Sequence, residues 1–236
     1  MGWLRRRFIR RLYFPESSDK SEIRDVAVAI ADLDRTHCGI FYRTAAGDLF
    51  LLHLCWHTIL RKHSADEIGD RGFVWVVPRF LPEQAVQIAE LCELIWRCRP
   101  DIPYALRHSE LSMFSLLDGN FNLGSGSHGL TCATFVLAVC RSVGVSLLDL
   151  ADWRERGTDV PFQEYVVSEL AKSPGHREHA AVVASEIGCL RYRPEEVAGA
   201  CMFDFYPIGF RAAERSGIAL LAEIDEYYSC TGRRKS

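Results

Sequence analysis

Between Val26 and Val77 short apolar runs alternate with polar punctuation: Val26-Ala27-Val28-Ala29-Ile30, Gly39-Ile40-Phe41-Tyr42, Leu49-Phe50-Leu51-Leu52 and Phe73-Val74-Trp75-Val76-Val77. Runs of four or five residues, rich in β-branched and aromatic types and bounded by turn formers, predict the strands of one sheet. From Pro82 the period lengthens. Val86, Ile88, Ala89, Leu91, Cys92, Leu94 and Ile95 form a broad helical face that Arg97, Arg99 and Pro100 bring to a stop. Segment 101–130 has no clear period and ends in Gly124-Ser125-Gly126-Ser127-His128-Gly129. Next, Thr131 offers a helix N-cap and Gly144 a C′ position, and the residues from Cys132 to Cys140 between them are apolar almost all round. A helix without a polar face is a buried helix. Four further helices are predicted, over 161–172, 176–187, 194–200 and 209–228.

A chain of 236 residues with 48% hydrophobic and 25% charged residues can bury a sizeable core and is neither disordered nor fibrous. The expected organisation is a basic N-terminal arm and linker over 1–20, a main domain over 21–150, and a helical extension over 151–236. Charge is unevenly placed. Five of the 28 basic residues (Arg5, Arg6, Arg7, Arg10 and Arg11) fall in the first eleven positions, and 31 acidic residues are spread over the rest. With Trp3, Leu4, Phe8 and Ile9 between them, these arginines suit an anionic membrane surface or an acidic partner. Nucleic-acid binding is not expected, because the body is acidic. No apolar stretch long enough for a secretory signal or a membrane span follows the arm, so the expected location is cytoplasmic, with the arm available for peripheral membrane contact.

Nine cysteines without a C-x-x-C pair argue against zinc ribbons and thioredoxin-like redox motifs and fit reduced, packed thiols. Cys132 has a different setting. It is the first residue of the buried helix, where unpaired N–H groups and the helix dipole favour a thiolate and can donate to an oxyanion. A base is available in the sheet region. His37 begins one predicted strand and His53 ends the next. A hairpin loop centred on Ala45 would place the two directly opposite each other on one face, one to take the thiol proton and one to orient it.

His37-Cys38-Gly39-Ile40-Phe41, then Leu51-Leu52-His53-Leu54, then Thr131-Cys132-Ala133-Thr134-Phe135-Val136 resembles the circularly permuted branch of the NlpC/P60 superfamily of papain-like thiol hydrolases. That branch includes lecithin:retinol acyltransferase-like proteins and permuted bacterial hydrolases. The resemblance covers roughly residues 24–150 and departs from the common pattern at Thr131 and Ala133, which flank the cysteine. It implies an α+β papain-like fold, with an antiparallel sheet packed on the buried helix that bears the nucleophile. It also implies Cys132 as nucleophile, His37 as base and His53 as orienting residue. Tyr104 and the backbone at Ala133 would shape the oxyanion and substrate site. The implied activity is a cysteine peptidase or amidase working through an acyl-enzyme, on a peptide, amide or acyl substrate, with no cofactor or metal. Two alternatives stand beside it: a thiol acyltransferase for lipid or thioester substrates, and a catalytically silent binding module that uses the basic arm.

Other readings are weaker on chemical grounds. The loop from Gly124 to Thr131 approaches a phosphate-binding P-loop but carries Leu130 where a lysine is needed. His176 and His179, like His53 and His57, have spacings that metal ligands can use, without evident further ligands. His128 and His108 are close enough to Cys132 in sequence to replace His37 as its base.

Overall fold

A computed structural model describes residues 12–14, 20–32, 35–68 and 72–231. The basic arm over residues 1–11 and the last five residues lie outside the described residues, and so do the expectations attached to them. The described chain is a mixed α+β structure. Its main sheet contains β1 (Leu12–Tyr13), β2 (Val26–Asp32), β3 (Thr36–Arg43), β4 (Leu49–Trp56), β5 (Ile59–Ser64) and β6 (Val74–Val76), in the order β1-β6-β2-β3-β4-β5 with antiparallel pairing. The helices are α1 (Pro82–Cys98), α2 (Cys132–Ser142), α3 (Val160–Lys172), α4 (Arg177–Ala184), α5 (Pro194–Ala200) and α6 (Phe210–Thr231). Two short strands, β7 (Met113–Phe114) and β8 (Phe121–Asn122), pair within the segment expected to be irregular. No helix among the described residues is long and apolar enough to cross a membrane.

The sheet is apolar on both faces, which explains why its strands read as continuous rather than alternating runs. On β2, Val26, Val28 and Ile30 face a core shared with α1, α2, α5 and α6, while Ala27, Ala29 and Ala31 face a smaller cluster containing Ile23, Phe41, Ile68 and Trp75. The larger core runs without a break from the sheet into the C-terminal helices, through residues such as Val166, Val197, Leu220 and Ile224. β5 has no counterpart in the apolar pattern. It is an edge strand that carries Arg61, Lys62 and His63 in its middle, as suits an element paired on one side only.

Helix α2 lies at the centre. All of its residues from Cys132 to Cys140 are buried. Both of its ends form as the sequence predicts. Thr131 is the N-cap: its Oγ1 accepts from the Thr134 N–H at 3.2 Å, and the Thr134 Oγ1 accepts from the Thr131 N–H at 2.7 Å. Gly144 follows the C-cap with φ +79°, and the Val145 N–H closes the helix by donating to the Cys140 carbonyl at 2.9 Å.

The β3–β4 register differs from the expected one. Ile40 pairs with Leu52 and Arg43 with Leu49, so the hairpin loop is centred on Ala46, with Gly47 at φ +91°. His53 therefore falls opposite Gly39 rather than His37. The displacement along the partner strand is two residues, and because side chains alternate with period two, His37 and His53 still share a face, now as diagonal neighbours. Gly39 makes this possible. A Cβ there would stand 2.7 Å from the His53 Cβ and 2.8 Å from the Leu52 carbonyl oxygen.

Candidate active site

The β3–β4 ladder stops at Ile40–Leu52, so residues 36–39 of β3 pair only with β2. On the β4 side a bulge between Leu54 and Trp56 interrupts the pairing with β5. Such bulges re-aim side chains. Where the strands part, Thr36 and His37 from β3 and Cys55 and Trp56 from β4 line one side of a cleft of about 180 Å³. Tyr104 and the N-terminus of α2, with Cys132 and Ala133, line the same cleft, and Phe162, Tyr165, Arg191 and Tyr192 from the C-terminal segment complete it.

Of the residues expected at the site, His37, Tyr104, Cys132 and Ala133 line this cleft. His53 is buried behind His37, with its Nδ1 2.6 Å from the His37 Nε2. Cys38 and His37 both act on the Cys132 sulfur. The Cys38 thiol makes the largest contribution to holding the Cys132 pKa well below the ordinary thiol value; the positive charge and hydrogen bond of His37 add to it, against the burial of the sulfur. For His37, burial opposes protonation, but the Cys132 thiolate outweighs it and raises the pKa. The two shifts have opposite signs: the charges of Cys132 and His37 each favour the charged form of the other, and Cys38 adds its larger contribution on the cysteine side. Cys38 is pushed strongly upward, first by burial and then by Cys132, and stays a thiol that donates to the thiolate.

Tyr104 supplies a further donor. Burial, followed by the Cys132 charge, raises the pKa of its hydroxyl and keeps the phenol protonated. Its proton can then turn toward an oxyanion. The Ala133 N–H belongs to the first turn of α2, where no intrahelical acceptor exists.

Local interactions fix Tyr104 in place. The Leu130 N–H donates to the Pro103 carbonyl at 2.9 Å, and the Ala105 N–H to the Leu130 carbonyl at 3.3 Å, so the loop entering α2 runs beside Tyr104. The approach requires Gly129, where a Cβ would stand 2.0 Å from the Pro103 oxygen. The Tyr104 N–H donates to the His57 Nδ1 at 3.2 Å, and the His179 Nε2 donates to the Tyr104 carbonyl at 2.8 Å. His57, His176 and His179 thus form one cluster, with ring centroids 4.4 and 4.5 Å from that of His57. Burial first, then the neighbouring His179 and His176, lower the His57 pKa to about 4. These histidines support Tyr104; among the described residues no group of three or more His, Cys, Asp or Glu is placed to hold a metal ion.

The histidines weighed as substitute bases are engaged elsewhere. His128 pairs through Nδ1 with Glu186 Oε1 at 2.6 Å, and His108 is enclosed against Tyr192 with its pKa lowered to about 4 by burial and then by Arg141. Neither is among the residues lining the cleft. Glu186 itself is 1% exposed and also accepts from the Leu106 and Arg107 N–H groups, at 2.7 and 3.0 Å.

Sequence reasoning missed Cys38, which it grouped with the inert thiols. The adjacency His37-Cys38 was the available signal, but strand alternation sends neighbouring side chains to opposite faces. It also missed the C-terminal wall of the cleft, for which no local signal exists. Comparison of the chain with known protein families, with curated proteins and with solved structures found no match.

Proposed function

We propose that the chain is a thiol hydrolase with a papain-like arrangement, cleaving a peptide, amide or related acyl bond through an acyl-enzyme on Cys132. The observation that carries this reading is the Cys132–His37 pair, with His53 Nδ1 2.6 Å from His37 Nε2, at the N-terminus of a buried helix and open to a cleft. Nucleophile, base and orienter stand in the order acyl transfer requires. The Cys132 thiolate attacks the carbonyl carbon, and the developing oxyanion lies within reach of the Ala133 N–H and the Tyr104 hydroxyl. His37, as imidazolium, gives its proton to the departing amine or alcohol as the tetrahedral intermediate collapses to a thioester. Neutral His37 then takes a proton from water, which attacks the thioester, releases the acid and restores the thiolate.

A cleft of about 180 Å³ favours hydrolysis of a short peptide-like segment over transfer of a long lipid chain; pockets that enclose a whole drug-sized ligand run to roughly 300–1,000 Å³. Incubation with an activated acyl ester, followed by intact mass and peptide mapping, is the test. The expected result is one acyl group on Cys132 that decays with time and is absent from Cys132→Ser. A Cys132→Ser protein that is acylated and turns over as wild type does would exclude the reading.

A further inference from the structure

The cleft beside Cys132 carries two charged side chains of fixed positive sign, Arg35 and Arg191, and no Asp or Glu among its described lining residues. Both guanidinium groups lie over aromatic rings of α3: the Arg35 Cζ is 3.5 Å from the Tyr165 centroid and that of Arg191 is 3.6 Å from the Phe162 centroid. Stacking holds a guanidinium by its face and leaves its in-plane N–H donors for a ligand. No described carboxylate pairs with Arg35. The carboxylate partner of Arg191 is Asp159, at 3.2 Å, and it is shared. Asp159 also pairs with Arg156 at 2.9 Å and with Arg193 at 2.7 Å, so three guanidinium groups converge on one buried carboxylate. Glu196 and Glu214 both pair with Arg156 in this cluster, Glu214 at 3.7 Å. Glu195, half-buried near Arg191 and Arg193, has its pKa raised by burial, against the two arginines, and is not among the residues lining the cleft. Arg35, with no described carboxylate partner, and Arg191, whose partner is shared, therefore present positive charge to a cleft lined by no described carboxylate, and the partial burial of Arg191 strengthens its effect.

We propose that the cleft selects substrates carrying a carboxylate close to the scissile carbonyl, with Arg35 and Arg191 as the residues that read it. This rests on the thiol-hydrolase reading above. A planar fork stacked on an aromatic ring suits bidentate capture of a carboxylate, and two forks at one cleft favour an acidic acyl group over its amide.

Iodoacetate and iodoacetamide separate the two questions. In both, the Cys132 sulfur forms a bond to the CH₂ carbon as iodide leaves, and the reagents differ only in a carboxylate against a carboxamide. The readout is the ratio of the two alkylation rates at Cys132, scaled to the same ratio for the unfolded protein. The native ratio is expected to exceed the unfolded one by at least about tenfold, a factor worth about 1.4 kcal/mol. Arg35→Gln and Arg191→Gln should each lower it several-fold, with Arg191→Lys between wild type and Arg191→Gln. Arg35 is exposed and outside the Asp159 cluster, so Arg35→Gln tests the preference even if Arg191→Gln does not fold. A native ratio equal to the unfolded one, or unchanged in Arg35→Gln, overturns the carboxylate preference. Slow iodoacetamide labelling in every form would instead count against the thiolate, which is a failure of the hydrolase reading and leaves the ratio to be judged by itself.

Discussion

His37→Ala is expected to slow acylation of Cys132 at neutral pH by roughly 10²–10⁴-fold, the usual worth of a positioned acid–base group. Two losses combine in that figure. The imidazolium that lowers the Cys132 pKa disappears, and so does the proton donor for the leaving group. The sign of the pH dependence follows from the two shifts. Cys132 is depressed and His37 raised, so the reactive ion pair spans the interval above the lowered thiol pKa and below the raised imidazole pKa. In His37→Ala the onset of reactivity should move to higher pH, because burial then acts on the sulfur without that charge to oppose it. The check is a pH series of acylation rates for both proteins, with circular dichroism to confirm folding. Superimposable profiles would remove His37 from the mechanism.

Glu186→Ala should have the largest effect on stability. Its carboxylate, 1% exposed, accepts from two backbone N–H groups and from the His128 ring, at 2.6 to 3.0 Å. Alanine leaves the buried Leu106 amide without its acceptor, at a cost of about 1–3 kcal/mol for such a group, and the part-buried Arg107 amide adds a smaller loss. A loss of about 3 kcal/mol in denaturant titration is therefore expected. Glu186→Gln should lose less, since its carbonyl oxygen still accepts. The same contacts fix the segment that continues from Tyr104, so acylation by folded Glu186→Ala should also fall. A stability change within about 0.5 kcal/mol of zero, the usual range for an unremarkable surface position, would contradict this role.

What could be read from the sequence is what short-range physics determines. The four apolar runs, the Pro82 helix start and both ends of α2 follow from side-chain type over a few positions, and they formed where expected. The β3–β4 register was displaced, because loop geometry rather than apolar pattern decides whether a hairpin turns about Ala45 or Ala46. Parity survived because the displacement is two residues, one full period of side-chain alternation. Strand β5 was missed because Arg61, Lys62 and His63 hide its pairing under polar side chains. Arg191, Phe162 and Tyr165 meet Cys132 only through tertiary packing of the C-terminal helices, and Glu186 reaches Leu106 across 80 positions. No local window contains such information. Cys38 lay between the two: its position beside His37 was visible, while its approach to α2 depended on which face of β3 that helix covers.

The central claim is that Cys132 is held as a thiolate by the Cys38 thiol and the His37 imidazolium, and the most direct measurement is the ultraviolet thiolate absorbance of wild type minus Cys132→Ser as a function of pH. The predicted difference shows one thiolate appearing well below the ordinary thiol range, shifted upward in Cys38→Ala and less so in Cys38→Ser, whose hydroxyl still donates. A difference titration at or above the ordinary range, indifferent to residue 38, would contradict it.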